Sequence, residues 1–117
     1  MSDHVRTVDR YMKGFRQSDH EMILDCLTED VVWRIHGVRT TRGKAEFDDE
    51  IENPAFDGSS RLTLERTIES GDVVVATGTG VARHREAGPF HFAFNDIFTL
   101  RGDSIAEVDS YVVPLNT

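Results

Sequence analysis

Between Phe90 and Leu100 the chain alternates with the period of a strand. Phe90, Phe92, Phe94, Asp96, Phe98 and Leu100 fall on one side, and His91, Ala93, Asn95, Ile97 and Thr99 on the other. An aromatic row of this kind must be buried or must line a cavity. A carboxylate set into it is costly unless it is hydrogen-bonded, paired or protonated. Asp96 is therefore the residue that most requires a chemical explanation.

The alternation extends to both sides of this run. Leu62, Leu64 and Ile68 alternate with Thr63, Glu65, Thr67 and Glu69, and Ser70-Gly71-Asp72 is a tight-turn signal. Val73 to Arg85 reads as a long strand, turned back by Glu86-Ala87-Gly88-Pro89. After Arg101-Gly102-Asp103-Ser104 a last strand runs from Ile105 to Val113. Strands joined by such short turns form an antiparallel meander.

The first half has a different period. Val5, Val8, Tyr11, Met12 and Phe15 share a helical face, with Ser2 or Asp3 as cap and Gly14 weakening the helix near its end. Ser18-Asp19 reads as the cap of a second short helix carrying Met22, Ile23, Cys26 and Leu27. Thr28 to Asp30 reads as a break, and Val31 to His36 as a strand stopped at Gly37. A third helix opens at Arg42-Gly43-Lys44, carries Phe47 and Ile51, and is ended by Asn53-Pro54. Three helices and then a meander predict an α+β layer, with the helices packed on one face of the sheet.

Composition narrows the partners. A chain of 117 residues is one domain, 1–117. A net charge of −8 argues against nucleic acid and against an anionic membrane surface, because both need clustered Lys and Arg. The single cysteine, Cys26, cannot form an internal disulfide, and Met1 to Arg6 holds no apolar run. A cytoplasmic protein is the resulting expectation.

The order of elements resembles the NTF2-like superfamily, a cystatin-like cone, and within it the SnoaL-like group, which includes polyketide cyclases and relatives of ketosteroid isomerase. The matching pieces are Asp30-Val31-Val32-Trp33, Thr41-Arg42-Gly43-Lys44-Ala45, Asn95 to Leu100, and Gly102 to Glu107. The resemblance implies three N-terminal helices on a curved antiparallel sheet. It places Asp96 where the cyclases keep an acid/base aspartate and where the isomerases keep a protonated aspartic acid. The isomerases' general base falls near Arg34, which cannot act as a base at neutral pH. Tyr11 and Phe15 both suit the place of the isomerases' oxyanion tyrosine. In the epoxide-hydrolase branch an arginine and two aspartates share a water, so Arg34 is expected to pair with Asp96 and keep it ionised.

These readings give a site with Asp96 and Arg34 as its chemical groups. Tyr11, Phe15, Trp33, Phe92, Phe94, Phe98, Val108 and Ser110 are its walls, and His36 stands at its mouth. No metal or organic cofactor is implied. His84 and His91 would face each other if the hairpin turned about Ala87-Gly88, but two histidines lack the third ligand a metal normally needs. Gly78-Thr79-Gly80 is too short for a dinucleotide loop and suits a bend in the sheet. The expected ligand is a small apolar molecule with a carbonyl or enol. A non-catalytic binding or assembly module, or a homodimer whose cone is filled by its own side chains, are the alternatives. A homodimer is expected through the uncovered sheet face bearing His91, Ala93, Asn95, Ile97 and Tyr111.

Overall fold

Side-chain caps start two of the three helices among the described residues. In the computed structural model, which describes residues 2–52, 55–57 and 60–115, the Val5 N–H donates to Ser2 Oγ at 3.1 Å and opens α1 (Asp3–Gln17). The Met22 N–H donates to Asp19 Oδ1 at 3.0 Å and opens α2 (His20–Asp25). Each cap satisfies an N–H that the helix itself cannot pair. Gly14 does not merely weaken α1. A Cβ there would lie 2.7 Å from Ile23 Cγ1, so the glycine is the point at which α2 crosses α1. The third helix, α3 (Gly43–Ile51), buries Phe47 and Ile51. Asn53-Pro54, expected to end it, lies outside the described residues.

The strands are β1 (Leu27–Ile35), β2 (Arg39–Arg42), β3 (Arg61–Ser70), β4 (Val73–His84), β5 (Gly88–Arg101) and β6 (Ser104–Pro114). They form one six-stranded sheet in the order β2-β1-β6-β5-β4-β3. The last four strands make the expected meander. The sheet is nonetheless mixed, because β1 joins β6 in parallel, with Trp33 beside Val108 and Ile35 beside Ser110. That pairing links segments more than 70 residues apart, so local periodicity does not encode it. Thr28 to Asp30, read as a break, belongs to β1, whose pairing with β6 is irregular between Leu27 and Val32.

Bulges adjust two further ladders. On β3 the register slips between Leu64 and Arg66, which reverses the faces beyond it. Ile68, expected inside, is 48% exposed on the outer face. Thr67 and Glu69 turn inward opposite Ala76 and Val74, and Glu69 meets His4 of α1 at 3.5 Å. A second slip between Thr99 and Leu100 leaves Ala106 as the extra residue of β6.

The helices cover one face of the sheet. Val8 and Met12 of α1, Ile23 of α2 and Phe47 of α3 meet Val74, Phe98, Ile105 and Val108 from the strands, all of them fully buried. Side chains of this size contribute roughly 1.5–3 kcal/mol each when removed from water. They close one end of the cone, and the other end stays open.

Candidate active site

Two strands build the cavity by opposite means. The inward residues of β4 are Val74, Ala76, Gly78, Gly80 and Ala82. Their partners on β5 are Phe98, Asp96, Phe94, Phe92 and Phe90. A row of small residues thus lies against a row of aromatic ones. The fit is close: a Cβ on Gly80 would clash with the Phe92 ring at Cζ, and one on Gly78 would meet the Thr63 carbonyl oxygen of β3 and stand 2.9 Å from Phe94 Cε2. The rings of β5 therefore lean across β4, and the space above them forms a cavity of about 240 Å³.

Helices and loop complete the wall. Tyr11, Met12 and Phe15 of α1, Trp33 of β1, and Phe56 and Leu62 face the cavity with Phe90, Phe92 and Phe94. Trp33 stacks on Phe47 with ring centroids 4.4 Å apart, and Tyr11 packs edge-on against Phe98 at 5.1 Å. Among the polar residues of this apolar lining are Asp96, Ser110, Glu50 and Ser60. Among the described residues, no Lys, Arg or His lines it.

Asp96 lies between Ala76 on one side and Ser110 on the other, so Ser110 is its polar cross-strand neighbour. The indole N–H of Trp33 donates to Ser110 Oγ at 2.9 Å. This leaves the serine hydroxyl proton to donate to the Asp96 carboxyl, with which it is hydrogen-bonded. What surface Asp96 keeps is turned to the cavity it lines. Removal from water pushes its pKa from 3.8 to about 6, and the Ser110 hydrogen bond opposes that rise without cancelling it. Burial also holds the Tyr11 hydroxyl well above its ordinary value, and the negative charge of Asp96 adds to the effect.

Several expected site residues lie elsewhere. Arg34 does not pair with Asp96. It follows the inward Trp33, so it points to the outer face, where its NH1 lies 2.8 Å from Glu107 and 3.4 Å from Asp109. The arginine–aspartate set implied by the epoxide-hydrolase branch is therefore not assembled around the cavity. His36 is on the same outer face, 2.9 Å from Asp109 and stacked on Tyr111 at 4.3 Å. Phe98 and Val108 point inward as expected but sit beneath the cavity, in the closed core. Tyr11, Phe15, Trp33, Phe92, Phe94 and Ser110 are brought together around it.

The two histidines do not meet either. The hairpin turns over residues 85–87, so His84 is opposite Gly88 and His91 opposite Val81. His84 Nδ1 instead accepts from the backbone N–H groups of Glu86 and Ala87, at 3.2 and 3.0 Å, and caps the turn. Glu50 is a lining residue that the sequence reading missed. It stands three positions after Phe47 and one before Ile51, on the stripe that α3 buries, and that spacing was the available signal.

An α+β cone with a mixed, curved sheet and helices over its inner face is the NTF2-like fold. Solved structures bear this out at low sequence identity. A Burkholderia pseudomallei NTF2-like protein of unknown function superposes with a TM-score of 0.90 at 21% identity, covering 97% of this chain and 92% of that one. An epoxide hydrolase from M. tuberculosis, described as LEH-like, gives 0.82 at 15% identity over 95% and 83%. A Catenulispora acidiphila protein with a ketosteroid isomerase-like fold, in complex with trimethylamine, gives 0.81 at 14% over 90% and 83%. Residues 8–108 match the SnoaL-like domain, and the chain belongs to that family. No curated protein matches it.

Proposed function

We propose that this protein binds a compact apolar molecule in the cavity and that Asp96 exchanges a proton with the ligand's polar handle, a carbonyl, enol or phenol. The observation that carries the reading is the place of Asp96 on an apolar cavity wall, opposite a serine already oriented by Trp33, where removal from water pushes its pKa up. A carboxyl with a pKa of about 6 is present in both forms near neutrality, so it can donate to an oxygen or accept from a carbon acid. Aromatic walls favour a flat or alicyclic body, and a volume of about 240 Å³ restricts its size. A phosphorylated ligand would need converging cations, which the described lining lacks.

A thermal-shift screen tests this. Flat carbonyl and phenolic compounds should raise the melting temperature more than nucleotides or sugar phosphates, since ligand bound only to the native state stabilises it. The response should weaken in Asp96→Asn and in Phe94→Ala. Nucleotides leading the screen, or no change in either variant, would remove the proposal.

The same proposal includes a homodimer through the outer sheet face. Val81, Tyr111 and Val113 are 37–58% exposed there, and Val75 and Ile97 sit among them. The Arg34–Glu107–Asp109–His36 cluster borders this area and supplies charges of both signs, as a self-complementary rim requires.

A further inference from the structure

Glu50 places a second carboxylate on the cavity wall, carried by a different element from Asp96. Its side chain is only 12% exposed, and its Oε1 lies 3.2 Å from NH1 of Arg39 on β2. The Arg39 side chain is 58% exposed, so the cation sits at the outer side of the pair, and the carboxylate is carried by a residue that lines the cavity. A carboxylate so little exposed against an apolar lining requires a partner. Arg39 supplies one at Oε1, but a carboxylate offers about four acceptor sites. The cavity thus has an acid that is partly neutral on the sheet side and an ion-paired carboxylate on the helix side, with aromatic surface between.

We propose that the ligand carries two polar ends: a carbonyl or enol oxygen met by Asp96 and Ser110, and a hydroxyl or amino donor received by the Glu50 carboxylate. This rests on the reading of the cavity given under the proposed function and adds a second specificity residue to it. Glu50 selects for a donor at the far end of an apolar body and against an anion there, because no described cationic side chain lines the cavity to offset it. Arg39 is a positioning residue that holds Glu50 in place from outside.

Ligand-observed NMR with aryl methyl ketones of two lengths tests the idea. The probes are 4-hydroxyacetophenone and 2-acetyl-6-hydroxynaphthalene, their methyl ethers, unsubstituted acetophenone, and 4-acetylbenzoate. At one of the two lengths at least, the hydroxyl probe should bind roughly tenfold more tightly than its ether, the range of a hydrogen bond to a charged group. That gap should close in Glu50→Met, which removes the carboxylate and keeps a side chain of similar length. If Glu50→Met does not fold, Glu50→Gln should narrow the gap, because it keeps an acceptor and loses the charge. Equal binding of hydroxyl and ether probes at both lengths would overturn the inference. So would a gap that survives the substitution, or a preference for 4-acetylbenzoate, which would mean that Arg39 reads the far end. If acetophenone binds and is weakened by Asp96→Asn while no gap appears, this inference alone fails. If no ketone binds at all, the reading of the cavity fails with it.

Discussion

Replacing Asp96 with Asn should make the protein more stable at neutral pH and leave it little changed at acid pH. The native pKa of about 6 lies above the 3.8 of a free aspartate, so between these values the folded protein holds a proton that the unfolded chain has released. Stability therefore falls as pH rises through this window and levels off above it. A shift of about two pH units corresponds to ~3 kcal/mol, the free-energy cost of ionising this carboxyl in its desolvated place rather than in water. Asparagine carries no charge to desolvate, and its amide oxygen can still accept from Ser110. Urea unfolding of both proteins at half-unit steps from pH 4 to pH 8 provides the assay. The stability difference, Asn variant minus parent, should increase by ~2.5 kcal/mol across the series, the remainder of the effect lying below pH 4. Taking the difference cancels the titration of the other acidic groups, which both proteins share. Parallel curves, or a difference that shrinks with rising pH, would refute the desolvation argument, and a carboxyl carbon resonance titrating near 4 would do so independently.

Two further outcomes follow from the same geometry. Ser110→Ala removes both the acceptor of the Trp33 indole N–H and the donor to Asp96. The unpaired indole should cost about 1–3 kcal/mol in urea unfolding, and the Asp96 midpoint seen by NMR should rise, since the lost hydrogen bond had favoured the ionised form. Light scattering should give a mass of twice 13.2 kDa at micromolar concentration, and Tyr111→Lys, in the middle of the outer face, should return the protein to a monomer; a monomeric parent would exclude the dimer.

How much of this could be read from the sequence depends on which physical rule governs each residue. The inward facing of Asp96, Phe92, Phe94 and Ser110 is legible because strand parity fixes the face, and one face here is strongly apolar. Arg34 could have been placed by the same rule. Trp33 is inward, so Arg34, its neighbour in the strand, must be outward; the analogy with the epoxide-hydrolase branch points the other way, and the period decides. Parity says nothing of depth along the cone, so it cannot separate Phe98 and Val108, which lie in the core, from the wall residues above them. The bulge after Leu64 changes face without any glycine or proline to announce it, which hid the exposure of Ile68. The β1–β6 pairing is long-range and had no local signal. Glu50 escaped because α3 is nearly polar all round, and only Phe47 and Ile51 mark its inner stripe.

The void is largely a property of a strand that contributes almost nothing to its surface. Ala76, Gly78 and Gly80 supply two methyl-free positions and one methyl group where β5 supplies two phenyl rings and a carboxylate. The size and outline of the cavity are therefore held in residues that a ligand need never touch. A single added carbon at Gly80 would displace the Phe92 ring against which it lies and move the wall from behind, with every lining side chain unchanged in identity. In a fold of this kind the choice of guest can drift through silent positions on the strand beneath the aromatic wall, while the acid and the serine beside it stay where they are.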